Sequence, residues 1–153
     1  MTPLVNSFAV EEEEIRLTCE GVLQINGEEI THERTKNLFF QNLVEKSDGY
    51  YLEIGREVKK IIVEDTLYFI RSLTGSAREG YSVMLSDGSQ EKLKPGTLEF
   101  SPGRLVCRVK ATPEKPKGSA ARFCRAPYHE LLAATESDEL GFYLRLGDAR
   151  VSL

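Results

Sequence analysis

One stretch of this sequence decides its fold: GYYLEIG at residues 49–55 returns as GFYLRLG at residues 141–147. Four of the seven positions are identical, and two more keep an aromatic or a branched aliphatic side chain. Each copy follows a helix-like segment and precedes a strand-like one, so the echo predicts a duplicated α+β unit. The equivalent tyrosines, Tyr51 and Tyr143, are expected either to fill the core or to shape a cleft.

A helix is predicted before each copy of the echo. Thr31 is a suitable N-cap for the first helix, which is expected to run to about Lys46 and to end at the glycine that follows. Pro127 fits the first turn of the second helix. The apolar stripe of that helix, at positions i, i+3, i+4 and i+7, consists of Tyr128, Leu131, Leu132 and Thr135.

Turn-forming residues divide the remaining apolar segments into short strands. Asn26-Gly27 is a strong hairpin signal because both residues tolerate positive φ. Residues 86–88 (SDG) and 101–103 (SPG) mark further hairpins. The predicted class is α+β, with duplicated hairpin-helix-hairpin motifs that form a mostly antiparallel sheet and two helices.

The same pattern predicts how the chain is divided. Residues 1–14 are expected to form a flexible acidic arm, because the four consecutive glutamates from Glu11 to Glu14 repel one another. Residues 15–74 form the first α+β motif and residues 75–153 the second. The two motifs are expected to pack as one compact unit.

Composition excludes several classes of protein. With 153 residues, 41% hydrophobic and 29% charged, the chain is long enough for one sizeable core. No apolar run approaches the roughly 18 residues of a membrane span, and no basic segment followed by an apolar one marks a secretory signal. We therefore expect a cytoplasmic protein. Three widely spaced cysteines and two distant histidines predict neither a disulfide framework nor a metal site.

Several ordered segments resemble the bacterial domain of unknown function 1285 (DUF1285) family. They are the lead hairpin with Asn26-Gly27 before Ile30-Thr31, the helix segment over residues 33–43, the strand pair over residues 49–63 that ends in Glu64-Asp65-Thr66, and the closing residues 121–153. The resemblance covers most of residues 15–153. It implies repeated α+β motifs and a role in signal transduction, and it supplies no catalytic residue.

Charge is distributed unevenly, although the net charge is −4. Residues 1–33 hold eight acids against one base, whereas residues 104–125 hold seven bases against one acid. Such polarity creates a local positive field that attracts anions. The alternative is that the acidic segment screens the basic one within the same molecule.

The basic stretch suggests a ligand site at the start of the second helix. Arg122 and Arg125 lie beside the unpaired N–H groups of that helix end, where a carboxylate or phosphate binds well. Arg34 has a comparable early position in the first helix, and His129 follows in the second. We expect these four residues to border a cleft between the motifs, the alternative being a solvated basic rim. A nucleic acid is not expected, because Phe123 is the one aromatic residue of the stretch and the pI is near 5.3.

The sequence therefore predicts a non-enzymatic binding or sensing module for a small anionic metabolite or a protein partner, with no cofactor. One alternative is a small hydrolase or transferase that uses Cys124 as the nucleophile and His129 as its base. Another is a structural protein that docks a partner through a sheet edge or the acidic arm. The oligomeric state is not set by any of these patterns.

Replacing Arg125 with alanine tests the predicted placement. Arg125→Ala is expected to weaken anion binding with little loss of stability, because a surface cation contributes little to folding. Melting temperatures measured with and without anions provide the readout. The same ligand-induced rise in variant and wild type would exclude Arg125 from the site.

Overall fold

The computed structural model describes residues 13–153, so the predicted arm over residues 1–14 lies outside the described residues except for its last two positions. The chain forms two compact units, which divide between Leu67 and Tyr68. Each unit consists mainly of antiparallel strands and contains one α-helix within the described range. The predicted α+β class is therefore confirmed. The motif boundary predicted between residues 74 and 75, and the packing of the motifs as one unit, stay predictions.

The first unit is a six-stranded sheet with one helix. Its elements in chain order are β1 (Ile15–Leu17), β2 (Leu23–Ile25), β3 (Glu28–Glu29), α1 (Glu33–Gln41), β4 (Leu43–Lys46), β5 (Gly49–Ile54) and β6 (Glu57–Val63). The strand order is β3-β2-β1-β6-β5-β4, and all neighbours are antiparallel except the parallel pair β1 and β6. Helix α1 thus links two three-stranded meanders.

The turn between β2 and β3 is the one that its sequence predicts. Asn26 and Gly27 adopt φ values of 50° and 86°, as a tight two-residue hairpin requires. Asn26 also fixes the chain before β1, because its N–H donates to the Glu14 carbonyl and its side-chain oxygen accepts the Glu14 N–H, both at 2.8 Å. The described end of the predicted arm is therefore held through its backbone.

The second unit contains a six-stranded sheet, a helix and a separate three-stranded sheet. Its elements in chain order are β7 (Tyr68–Ser76), β8 (Gly80–Leu85), β9 (Gln90–Lys92), a 3-10 turn (Pro95–Thr97), β10 (Glu99–Ser101), β11 (Arg104–Val109), β12 (Ser119–Phe123), α2 (Arg125–Leu132), β13 (Thr135–Asp138), β14 (Gly141–Leu146) and β15 (Ala149–Ser152). The strand orders are β10-β11-β12-β7-β8-β9 and β13-β14-β15.

The two six-stranded sheets share one topology. In each sheet, the first strand of the first meander lies parallel to the last strand of the second meander. These parallel pairs are β1 with β6 and β7 with β12. The connection between meanders differs, because α1 makes it in the first sheet and the 3-10 turn over Pro95–Thr97 makes it in the second. That turn lies beside the site described below.

The two echo stretches occupy equivalent places in the two units. Each supplies the middle strand of a three-stranded meander that follows a helix: β5 after α1, and β14 after α2. Tyr51 pairs with Val44 and Lys60, and Tyr143 pairs with Glu136 and Ser152. Each residue of the second set lies 92 positions after its counterpart in the first. The two helix N-caps, His32 and Cys124, are separated by the same interval.

Helix α1 is shorter than predicted. It begins after His32, whose Nδ1 accepts the Thr35 N–H at 3.3 Å, so His32 rather than Thr31 is the N-cap. It ends at Gln41 because Asn42 binds the last carbonyls, donating its N–H to Phe39 and its side-chain amide to Leu38. The apolar residues that follow form β4 instead of a further helical turn.

Helix α2 also differs from its prediction at its end. Thr135, the last residue of the predicted apolar stripe, begins β13. Strands β12 and β13 were not predicted, because β12 follows a loop rich in proline and lysine and β13 is a polar segment, TESD. The short length of β13 leaves too little alternation to identify a strand.

Asp87, in the turn between β8 and β9, forms an ion pair with Lys110, the residue that follows β11. Its side chain accepts from the Ser89 N–H and hydroxyl, at 2.9 and 2.6 Å, and from Lys110 Nζ at 2.7 Å. Partial burial raises the pKa of Asp87, but the bonds from Lys110 and Ser89 outweigh it and hold that pKa below its ordinary value.

Asp87→Asn is expected to destabilise the protein by about 1 kcal/mol at pH 7, since it removes a partly buried ion pair with Lys110. A carboxylate with a lowered pKa contributes stability above its unfolded pKa, about 4, and loses it as the pH falls through the folded value. The difference from wild type should therefore shrink in urea unfolding curves as the pH falls below about 4. The exposed Asp148→Asn is the control, and a difference that persists at low pH would contradict this role.

Candidate functional site

The second unit contains an open cavity of about 540 Å³, a volume typical of sites for small molecules. It lies where the 3-10 turn, strands β10 and β11 and the loop before β12 meet. Its lining residues are Lys94, Gly96, Thr97, Glu99, Arg108, Ala111, Pro116 and Lys117.

The 3-10 turn forms the first wall. Pro95 has its φ preset for the start of such a turn, and the Thr97 N–H and hydroxyl both donate to the Lys94 carbonyl, at 3.0 and 2.8 Å. The same hydroxyl accepts the Arg108 N–H at 3.1 Å. Thr97 therefore ties the turn to β11.

Arg108 lines the cavity and binds the loop over residues 110–118, which forms the second wall. Within β11, Leu105, Cys107 and Val109 are buried in the core, and alternation along the strand turns Arg108 to the other face. Its Nε and Nη2 donate to the carbonyls of Lys117 and Gly118, both at 2.9 Å. These acceptors are neutral, and the guanidinium forms no ion pair within the described residues.

The loop over residues 110–118 is fixed at both ends. At its start, Lys110 pairs with Asp87 and its N–H donates to Glu91 at 3.1 Å. At its end, Gly118 adopts a φ of +62° and approaches Val109 so closely that a Cβ would lie 2.2 Å from the Val109 carbonyl oxygen. The cavity wall is therefore built into the fold.

Charge around the cavity is predominantly positive. Lys94 and Lys117 are exposed and form no ion pair within residues 13–153. Together with Arg108 they give three cations, against one acid, Glu99. An excess of positive charge favours anions over cations, and carboxylate and phosphate are the groups that lysine and arginine bind best.

The four predicted site residues lie elsewhere. Arg34 is exposed on α1 of the first unit, Arg122 is half-buried in β12, and Arg125 and His129 are exposed on α2. Arg125 and His129 are four residues apart and so share one face of that helix. None of the four lines the cavity, and their role in binding stays a prediction.

The basic stretch nevertheless contains part of the cavity, because Arg108 and Lys117 belong to it. The sequence patterns analysed above did not single out Lys94 and its neighbours. The available signal was a lysine, a proline and a glycine in succession, Lys94 to Gly96, a short distance before a strand that carries cations.

Cys124 and His129, the pair of the hydrolase alternative, have different contact partners, and their role in catalysis stays a prediction. The Cys124 Sγ accepts a hydrogen bond from Arg71 Nη1 at 3.2 Å. The His129 ring instead packs edge-on against Tyr128, with 5.2 Å between ring centroids. Cys107 is buried, and burial raises the pKa of its thiol to about 12, which keeps the thiol protonated near neutral pH.

In the described part of the chain, no group of three or more histidine, cysteine, aspartate or glutamate side chains is placed to hold a metal ion. No helix among residues 13–153 has the length and apolar character needed to cross a bilayer.

The fold of this chain is similar to the folds of two solved DUF1285 family proteins. A DUF1285 family protein from Silicibacter pomeroyi DSS-3 superposes with a TM-score of 0.67 at 19% identity, covering 92% of this chain and 79% of that one. One from Shewanella baltica OS155 gives 0.59 at 17% identity, covering 80% and 93%. The resemblance noted in the sequence is thus confirmed at the level of the fold. No protein-family model and no curated protein matches the sequence.

Gly118→Ala tests whether the close approach of the loop to β11 supports the cavity. The clash with Val109 and the positive φ together should cost about 2–4 kcal/mol. Gly103→Ala is the matched control, since Gly103 has a φ of +70° with no atom near its missing Cβ, and it should cost only about 1 kcal/mol. Equal losses of unfolding free energy in the two variants would contradict the role of the close contact.

Proposed function

We propose that this protein is a non-enzymatic cytoplasmic binding module whose second unit holds a small anionic ligand. The observation that carries the proposal is the cavity lined by Lys94, Arg108 and Lys117. It combines a suitable volume, an excess of positive charge and walls that are already fixed by hydrogen bonds. Preformed walls lower the ordering cost of binding.

The three cations have complementary roles in this proposal. Arg108 is oriented by two carbonyls, and its Nη1 makes no hydrogen bond to the protein within the described residues. It is therefore the fixed donor. Lys94 and Lys117 belong to different walls, and their flexible stems can adjust to ligands of different size. Glu99 is available to accept a bond from a hydroxyl or amine of the ligand.

The lining supports binding rather than catalysis. It contains no cysteine or histidine and only a single carboxylate, whereas acid–base and nucleophilic catalysis require a paired nucleophile, base or acid. A sensing role, as the resemblance to DUF1285 proteins implies, would follow if an anion linked the 3-10 turn to the loop over residues 110–118.

We also propose that the helix and meander were duplicated within this chain. The constant interval of 92 residues between the helix N-caps, the paired tyrosines and their cross-strand partners supports this origin. The cavity lies outside the repeated segments. Duplication therefore accounts for the scaffold, and the proposed binding role belongs to the part between the copies.

Titration calorimetry with inorganic phosphate, pyrophosphate and citrate tests the proposed function. Wild type should bind at least one of these at low ionic strength with a dissociation constant below about 1 mM. The double variant Lys94→Gln, Lys117→Gln should bind at least about tenfold more weakly, because it removes two of three cations.

Two controls make the result decisive. Lys92→Gln removes an exposed cation of β9 that does not line the cavity and should leave the affinity unchanged. Arg125→Ala tests the competing placement at the start of α2. Undiminished binding by the double variant, or a loss confined to Arg125→Ala, would overturn the assignment of the cavity.

A further inference from the structure

Three large apolar side chains protrude from the β13–β14–β15 sheet. The exposed fractions of Leu140, Phe142 and Leu153 are 89%, 65% and 46%. Phe142 and Leu153 are adjacent, because the Leu153 N–H donates to the Phe142 carbonyl at 3.0 Å. Leu140 lies two residues before Phe142, in the turn after β13. We call these three residues the apolar patch.

The fold itself does not require this exposure. In the equivalent meander of the first unit, the three positions that lie 92 residues earlier are Asp48, Tyr50 and Ile61. Tyr50 is half-buried and Ile61 is only 5% exposed, whereas a charged residue occupies the turn. The apolar patch is thus a feature of the second unit, and contiguous exposed apolar side chains commonly mark interaction sites.

One member of the patch, Leu140, lies in the turn that ends an open sheet edge. Strand β13 is the outer strand of its sheet and pairs only with β14 in the described part of the chain. Alternate residues of an outer strand direct their N–H and C=O groups away from the sheet, where another strand can bind them. Ser137 pairs with Phe142, so the side chains of these two residues lie on the same face of the sheet.

Carboxylates line the same edge. Glu136, Asp138 and Glu139 are all exposed. Asp138 is paired with Arg150 at 2.7 Å and Glu136 accepts the Tyr143 hydroxyl at 3.1 Å, while Glu139 has no ionic partner within residues 13–153. Two β13 strands placed side by side would bring these acids together, which disfavours pairing with a second copy.

We propose that the β13 edge and the apolar patch dock an extended segment of a partner protein in which apolar and basic residues alternate. Added beside β13, such a segment would direct its apolar residues to the face of Phe142 and its basic residues to the face of Glu136 and Asp138. The backbone ladder would supply affinity and the alternation would supply specificity. This surface is independent of the anion cavity.

A synthetic seven-residue peptide that alternates valine and lysine, labelled with a fluorophore, provides the probe. Fluorescence anisotropy with the full chain should show saturable binding with a dissociation constant below about 1 mM. A peptide that alternates valine and glutamate should not bind, because its charges face carboxylates. The valine–lysine peptide methylated at alternate backbone nitrogens should also fail, because it cannot complete the ladder.

Variants locate the binding surface. Phe142→Lys and Glu139→Lys should each weaken binding by about tenfold or more, through the lost apolar anchor and the reversed charge. Leu38→Lys and Glu130→Lys change an exposed leucine of α1 and an exposed glutamate of α2 and should have no effect. Circular dichroism confirms that each variant is folded.

Three outcomes would overturn the proposal. One is the absence of binding by the valine–lysine peptide up to about 1 mM. Another is equal loss of affinity in the edge variants and their controls. The third is self-association of the wild-type chain in sedimentation experiments that Phe142→Lys abolishes, since a second copy would then be the occupant.

Discussion

Two hydrogen bonds from the Arg108 guanidinium to the Lys117 and Gly118 carbonyls determine the shape and the charge of the cavity. They bind the loop over residues 110–118 to β11, and they do so through neutral acceptors. A carboxylate in their place would hold the loop equally well but would cancel the charge. The same side chain therefore orders the wall and leaves a cation available to an incoming anion.

The two echo strands show how one backbone arrangement supports different surfaces. Tyr51 donates its hydroxyl to Asp48 at 2.8 Å and lies beneath Lys46, whose Nζ is 4.9 Å from the ring centroid. Tyr143 is buried, donates to Glu136, and has Arg150 only 3.7 Å from its ring centroid. The strand register is the same in both copies, whereas the charged neighbours differ.

The sequence predicted those parts of the structure that depend on local chemistry. The Asn26-Gly27 turn, the echo strands and a helix before each of them follow from residue preferences and alternation. The end of α1 does not follow from such local preferences, because Leu43 and Val44 suit a helix as well as a strand. Capping by Asn42 ends the helix before them. The cavity was missed for a different reason. Lys94, Arg108 and Lys117 line one cavity because the loop over residues 110–118 returns to accept hydrogen bonds from the Arg108 guanidinium, a contact that no local pattern reports.

Hydrogen exchange in an Arg108→Lys variant tests the central claim most directly, because lysine keeps the charge but lacks the forked donors. The amides of Lys115 and Gly118, which are bonded within the loop, should then exchange about tenfold faster or more, while the core amides of β11 keep their protection. Unchanged exchange at Lys115 and Gly118 would show that the loop holds its position without the guanidinium, which would contradict this account.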